Sequence, residues 1–258
     1  MQTFFIYAAA WGGRFKFWCS VVYLVYTFCR GACRKETGMK KFDTVIFDLD
    51  GTLIDTLPDL LTALNLALAE AGYPTRLLSE MPAFVSRGLR SMVKSALPEC
   101  CDAESFERVF AAFGGYYAQH LMDETAPYSG ILPLLQRLKA EGFKLAVVSN
   151  KADALMQKIC SRFFGGVVDF ALGERENIPR KPAPDGVLLA LQTLGADAAR
   201  TVYVGDSAVD MQTAQNSGLQ SIAVSWGYCE RAALAAAGAG VICGSIAELE
   251  TALLSAKA

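Results

Sequence analysis

The chain carries a single histidine, His120, in 258 residues. A Ser-His-Asp triad and a metal site built from several imidazoles both start without their parts. The eight cysteines, Cys19, Cys29, Cys33, Cys100, Cys101, Cys160, Cys229 and Cys243, show no CxxC spacing. Neither a zinc site nor a disulfide framework is expected from them, and reduced thiols in a cytoplasm are the simpler reading. A basic excess is also missing: 24 Lys and Arg face 26 Asp and Glu, for a formal charge of −2. Nothing in that balance neutralises a nucleic-acid backbone, so nucleic acid is not expected as a partner. What the sequence does have is apolar content, 53% of residues, enough for one sizeable core or a core with a smaller insertion. Carboxylate chemistry is what the composition leaves open.

The first 38 residues differ from the rest. They hold the bases Arg14, Lys16, Arg30, Arg34 and Lys35 against one acid, Glu36, so the remainder is acidic. Phe17–Cys29 is uncharged and apolar but only 13 residues long, short of the ~20 a membrane-spanning helix needs. A signal peptide would begin with its basic residues, and here they come late. Residues 1–38 are read as an extension outside the core, either preceding a start at Met39 or acting as an anchor or targeting segment. Without a real anchor there, no membrane partner is expected. On the start-site reading, residues 39–258 alone should be soluble and fully active.

From Thr44 onward the pattern alternates. Thr44–Phe47, Lys144–Val148, Val167–Leu172, Thr201–Val204 and Ser221–Val224 read as buried strands, with helices at Ala152–Phe164, Asp185–Leu194 and Val209–Ser217 between them. Strands alternating with helices predict an α/β fold with a doubly wound parallel sheet, a Rossmann-like core whose ligand site lies at the carboxyl ends of the strands. Leu57 to about Ala126 breaks the alternation. Leu57, Leu60, Leu61, Leu64 and Leu68 mark one helical face, with Thr56 as a plausible cap, and Phe106, Val109, Phe110, Phe113 and Tyr117 mark another. Plain packing is the expected role of both stripes. The domains are thus a core of 41–56 and 127–258 and a helical cap of 57–126 inserted after the first strand, placed to act as a lid.

Four strand ends carry polar groups. Asp48-Leu49-Asp50-Gly51 sets two carboxylates one residue apart before a glycine that lets backbone approach closely, although an acidic turn would look similar. Ser149-Asn150 offers a hydroxyl and backbone amides to phosphate oxygens, or a helix cap. Lys181 sits in a Pro-stiffened loop, either a fixed cation or a solvated surface group. Asp206 follows a strand and Asp210 opens the next helix, where both could face a metal or Asp210 could complement the helix dipole.

In that order the four motifs resemble the haloacid dehalogenase-like hydrolase superfamily, from Lys41 to the carboxyl terminus. The helical insertion, Pro127-Tyr128-Ser129-Gly130 and Ser225-Trp226-Gly227-Tyr228 are most similar to its phosphoglycolate phosphatase branch. The resemblance implies a phosphatase acting on a small phosphate monoester such as 2-phosphoglycolate. Asp48 would be the nucleophile that becomes an aspartyl-phosphate, and Asp50 the general acid and base. Ser149, Asn150 and Lys181 would hold the phosphoryl group. Mg2+ would be held by Asp48, the Asp50 carbonyl and Asp206, with Asp210 close by or bridged through water. A phosphosugar mutase of the same superfamily is the nearest alternative, and its members tend to carry Val where this chain has Thr52. A phosphoryl-accepting signalling domain is a further one, though its acceptor Asp follows the third strand. Arg87, Arg90 and Lys94 are conceivable carboxylate binders in the insertion, and oligomeric state is not legible.

Overall fold

The computed structural model describes residues 42–85 and 88–255. The readings made for residues 1–38 and for Arg87 lie outside them. Six parallel strands form the main sheet: β1 (Thr44–Phe47), β4 (Lys144–Ala152), β5 (Phe170–Glu174), β6 (Thr201–Gly205), β7 (Gln220–Val224) and β8 (Ile242–Cys243), in the order β5-β4-β1-β6-β7-β8. The first strand of the chain is thus central, hydrogen-bonded to β4 on one side and β6 on the other, with Phe47 in register with both Val147 and Val204. The sheet order runs outward from β1 in both directions, so the crevice for a ligand opens beside its carboxyl end.

Alternation along these strands fills two apolar layers, as expected of a parallel sheet covered on both faces. Val45, Phe47, Leu145, Val147, Val202 and Val204 point into one layer. Ile46, Ala146, Val148 and Tyr203 point into the other, where they meet Val187, Ala190 and Leu191.

The insertion contains α1 (Leu57–Glu70), a short α2 (Met81–Val85), α3 (Leu89–Ala96) and α4 (Ala103–Gln119). Leu60, Leu64 and Leu68 of α1 and Val109, Phe113 and Tyr117 of α4 are buried, so both expected stripes do pack. Asp102 caps α4 by accepting from the Ser105 amide at 2.7 Å. Thr56 stands at the start of α1 but makes no side-chain cap; its hydroxyl pairs instead with that of Tyr228 at 2.8 Å.

The remaining helices are α5 (Ile131–Ala140), α6 (Asp153–Phe164), α7 (Asp185–Leu194), α8 (Ala208–Asn216), α9 (Arg231–Ala236) and α10 (Ile246–Leu254). A feature absent from the sequence reading joins the insertion to the sheet: β2 (Ile54–Asp55) pairs antiparallel with β3 (Ala126–Pro127). Just inside that ribbon the buried Asp59 accepts from the amides of Glu124 and Thr125, both at 2.9 Å. The two passages of the chain are therefore tied together. Two residues are too few for strand periodicity to register, which is why β2, β3 and β8 escape sequence reading.

Candidate active site

Asp48 follows β1, and the chain turns at once. The Leu53 and Ile54 amides both return to the Leu49 carbonyl, at 2.9 and 3.1 Å. Gly51 sits in this turn at φ +80°, and a Cβ there would fall 2.3 Å from Asp206 Oδ2. Only glycine combines that backbone angle with that proximity. Gly227 abuts Asp206 from another side, where a Cβ would lie 2.4 Å from the same oxygen. Asp206 is held by the Thr52 hydroxyl at 3.1 Å and the Tyr228 amide at 2.7 Å. The indole of Trp226 donates to the Thr52 carbonyl at 3.1 Å. The Ser225–Tyr228 run therefore braces the acidic turn.

At the end of β4 the pairing with β5 slips: Val148 is in register with Leu172, but Ala152 with Glu174. This bulge lifts out Ser149, Asn150 and Lys151. Ser149 caps no helix, since its Oγ accepts from the Lys151 amide at 3.2 Å. The Asn150 side chain exchanges two bonds with the main chain of Lys181, donating to its carbonyl at 3.0 Å and accepting from its amide at 2.8 Å. It therefore fixes the loop that carries Lys181, leaving the Asn150 main-chain amide as its group for a ligand.

Lys181 is buried, and its Nζ lies 2.7 Å from Oδ1 of both Asp48 and Asp210. Burial works against its charge, yet Asp210 and Asp48 hold its pKa well above the usual lysine value. Asp210 is fully committed. Oδ1 serves Lys181 and, at 3.2 Å, the Tyr203 hydroxyl, while Oδ2 takes the Ser207 amide and hydroxyl in a capping box that opens α8. At Asp48 the contact with Lys181 is an ion pair without hydrogen-bond alignment, so the buried Oδ1 has no donor.

Asp48, Asp206 and Asp210 each place a carboxylate oxygen within 4.8 Å of the others, all buried. Burial, then Asp210, push the Asp48 carboxyl up to about 7, with Lys181 partly opposing. Burial, Asp210 and Asp48 lift Asp206 well above the carboxylate range. Three buried acids with one lysine among them and an undonated oxygen suit a further positive charge. An all-oxygen donor set fits a hard divalent cation, with Asp48 and Asp206 the carboxylates free to bind it.

Sequence reading gave Lys151 no role. Its Nζ is buried, 2.9 Å from Asp50 Oδ1 and 2.5 Å from the hydroxyl of Tyr117 on α4. Burial opposes its charge, while Asp50 and Tyr117 raise its pKa. The Tyr117 hydroxyl is itself pushed up to about 12, chiefly by burial. A lone lysine after a strand has no sequence signature that separates it from a solvated one. Asp48, Asp50, Ser149, Asn150, Lys151, Lys181 and Asp206 border one cavity of about 600 Å3, lined on its other side by Leu60, Val85, Leu89 and Phe110 of the insertion. His120 stands apart from it at the end of α4, 2.7 Å from Asp123.

Comparison with known proteins decides what this constellation belongs to. Residues 45–224 match the model of haloacid dehalogenase-like hydrolases. The chain belongs to this family. Among curated relatives, a phosphoglycolate phosphatase of Caulobacter vibrioides is 36% identical over 197 residues, covering 72% of this chain and 81% of its own length. One from Aquifex aeolicus is 33% identical over 185 residues, covering 71% and 85%. A solved structure from Lactobacillus delbrueckii subsp. bulgaricus, provisionally assigned as a phosphoglycolate phosphatase, superposes with a TM-score of 0.77 at 38% identity, covering 84% of this chain and all of that one. Family membership makes the chain a hydrolase, and the match spans all four polar strand ends.

Proposed function

We propose that the protein is a magnesium-dependent phosphatase that cleaves a small phosphate monoester, 2-phosphoglycolate, through an aspartyl-phosphate on Asp48. The observation that carries this reading is the convergence of Asp48, Asp50, Ser149, Lys181 and Asp206 on one cavity at the carboxyl edge of the sheet. The identity with curated phosphoglycolate phosphatases supports the choice of substrate.

In the first step an Asp48 oxygen bonds to phosphorus as the ester P–O bond breaks, and the departing alkoxide takes a proton from Asp50. In the second, water gives a proton to Asp50 and attacks phosphorus. The acyl P–O bond breaks, inorganic phosphate leaves and the Asp48 carboxylate is restored. Ser149, the Asn150 amide and Lys181 donate to the phosphoryl oxygens in both steps. Asp48, the Asp50 carbonyl and Asp206 would hold Mg2+, which would supply the charge that offsets repulsion between the Asp48 carboxylate and the phosphate dianion. Asp210 keeps Lys181 in place. The 57–126 segment serves as the cap, with Leu60, Leu89 and Phe110 giving the cavity an apolar roof that disfavours water.

The test is steady-state turnover of 2-phosphoglycolate, sugar phosphates and nucleotides with Mg2+ present. The expected result is the highest kcat/KM for 2-phosphoglycolate, reversible loss on chelation, and a folded but inactive Asp48→Asn variant. Normal metal-dependent activity in Asp48→Asn would end this reading.

A further inference from the structure

The cavity holds a cation that the phosphoryl chemistry above does not use. Lys151 projects from the β4 bulge, its side chain only 3% exposed, and borders the cavity. An ammonium has three N–H donors. One is directed at Asp50 Oδ1, 2.9 Å away, and one at the Tyr117 hydroxyl, 2.5 Å away. The Tyr117 ring also lies under the charge, 4.8 Å from Nζ to its centroid. No third partner is found among the described residues.

We infer that Lys151 is the specificity-determining residue of the site and recognises a carboxylate carried by the leaving group next to the ester oxygen. This rests on the assignment of Asp50 as the acid that protonates that oxygen. The acid must sit about 3 Å from the oxygen it protonates. Lys151 Nζ lies 2.9 Å from Asp50 Oδ1, so with Oδ1 as the acid oxygen Nζ lies within roughly 6 Å of the leaving oxygen. In a 2-phosphoglycolate-like substrate the carboxylate is one methylene from that oxygen, about 3 Å nearer by ordinary bond lengths. The remaining gap is a hydrogen bond. A leaving group with a hydroxyl or amide in that position would present a neutral group to the buried ammonium.

Apart from Lys181, which is buried and assigned to the phosphoryl group, the other cations bordering the cavity are already answered and wet. Arg90 is 58% exposed in its side chain, pairs with Glu107 and stacks on Phe106 and Phe110. Arg180 is 55% exposed and lies 3.8 Å from Glu174. A charge contact at either would be weakened by solvent, while one at Lys151 would not. Tyr117 holds Lys151 from the helical side, and so acts as a positioning residue for it.

The experiment compares kcat/KM for 2-phosphoglycolate with that for its carboxamide, which keeps shape and phosphate but removes the second charge. The wild type should favour the carboxylate by about 100-fold or more, the range in which a site that pairs a substrate charge rejects its neutral analogue. Lys151→Met should bring the ratio close to one, Lys151→Arg should keep much of it, and Tyr117→Phe should reduce it partway. A wild type that hydrolyses both esters equally overturns the proposal without any variant. So does a Lys151→Met enzyme that is slower but keeps the full preference. Failure of the parent reading looks different: neither ester would be turned over at all, or Asp48→Asn would remain active.

Discussion

Asp48 and Asp206 are uncomfortable as built. With its folded-state pKa raised from 3.8 to about 7 by burial and Asp210, the Asp48 carboxyl favours the native fold when protonated. That contribution is fully present below the unfolded value and is lost as pH rises through 7. In chelator, the stability of the wild type should therefore decline between about pH 4 and about pH 7 relative to Asp48→Asn, whose side chain cannot ionise. Thermal midpoints of the two proteins across that window check this, and parallel curves would contradict it. Mg2+ should reverse the order, stabilising the wild type more than the variant, because the ion binds the native state through the carboxylate removed. Lys181 bears on the same charges: Lys181→Met leaves two buried acids without their counter-ion. It should lower kcat by several orders of magnitude, with circular dichroism reporting whether the fold persists.

At the scale of elements, the β4 bulge and the β2–β3 ribbon do most to set the site. The bulge delivers Ser149 and Lys151 to one cavity. The ribbon brings the helical insertion away from the sheet and back at a single point, where Asp59 satisfies two backbone amides. Asp59→Ala should cost roughly 2 kcal/mol or more of unfolding free energy, since it leaves both amides without their charged acceptor. Urea denaturation measures it, and a change under 0.5 kcal/mol, about that of a neutral surface substitution, would show that the ribbon does not depend on this residue. Tyr228 closes the same corner from the core side, joining the Thr56 amide at 3.0 Å and its hydroxyl at 2.8 Å.

These elements also mark where sequence reading stops. Helix Asp185–Leu194 and the strand at Thr201 are legible because apolar residues recur there at helical or strand spacing and glycines and prolines bound them. Asp48, Asp50, Ser149 and Asp206 are legible as candidates because each ends or closely follows a β-rich run, and Lys181 because it stands in a Pro-stiffened loop before a helix, in order with the other three motifs. Lys151 is not, since its meaning depends on Tyr117, 34 residues earlier. Tyr117 itself reads as one more aromatic on a buried stripe, and its hydroxyl carries no periodicity. Asn150 is legible as a candidate, but its side chain's partner, the Lys181 main chain, is not.

For the whole molecule, one polypeptide supplies two surfaces to one cavity. The sheet edge contributes charge and donors, and the insertion contributes an apolar roof, while its Tyr117 hydroxyl accepts from the cavity-lining Lys151. Their separation in composition explains the architecture. Acids can be kept close together only where a rigid sheet holds them and a cation answers them, whereas exclusion of water needs apolar helices such as α1 and α4. Among the described residues no helix is long and apolar enough to cross a membrane. Removal of divalent metal should silence turnover while leaving the sheet and both apolar layers folded, because these layers are held by apolar packing among residues such as Val45, Ile46 and Val202.

The central claim is that Asp48 itself carries the phosphoryl group between the two steps. It is tested by acid-quenching the enzyme during turnover of phosphorus-labelled 2-phosphoglycolate with Mg2+ and mapping the label by peptide mass spectrometry. The expected result is an acid-stable, base-labile phosphoryl group on the peptide containing Asp48, absent from Asp48→Asn. Turnover with label on another residue, or with no labelled protein at any quench time, would contradict it.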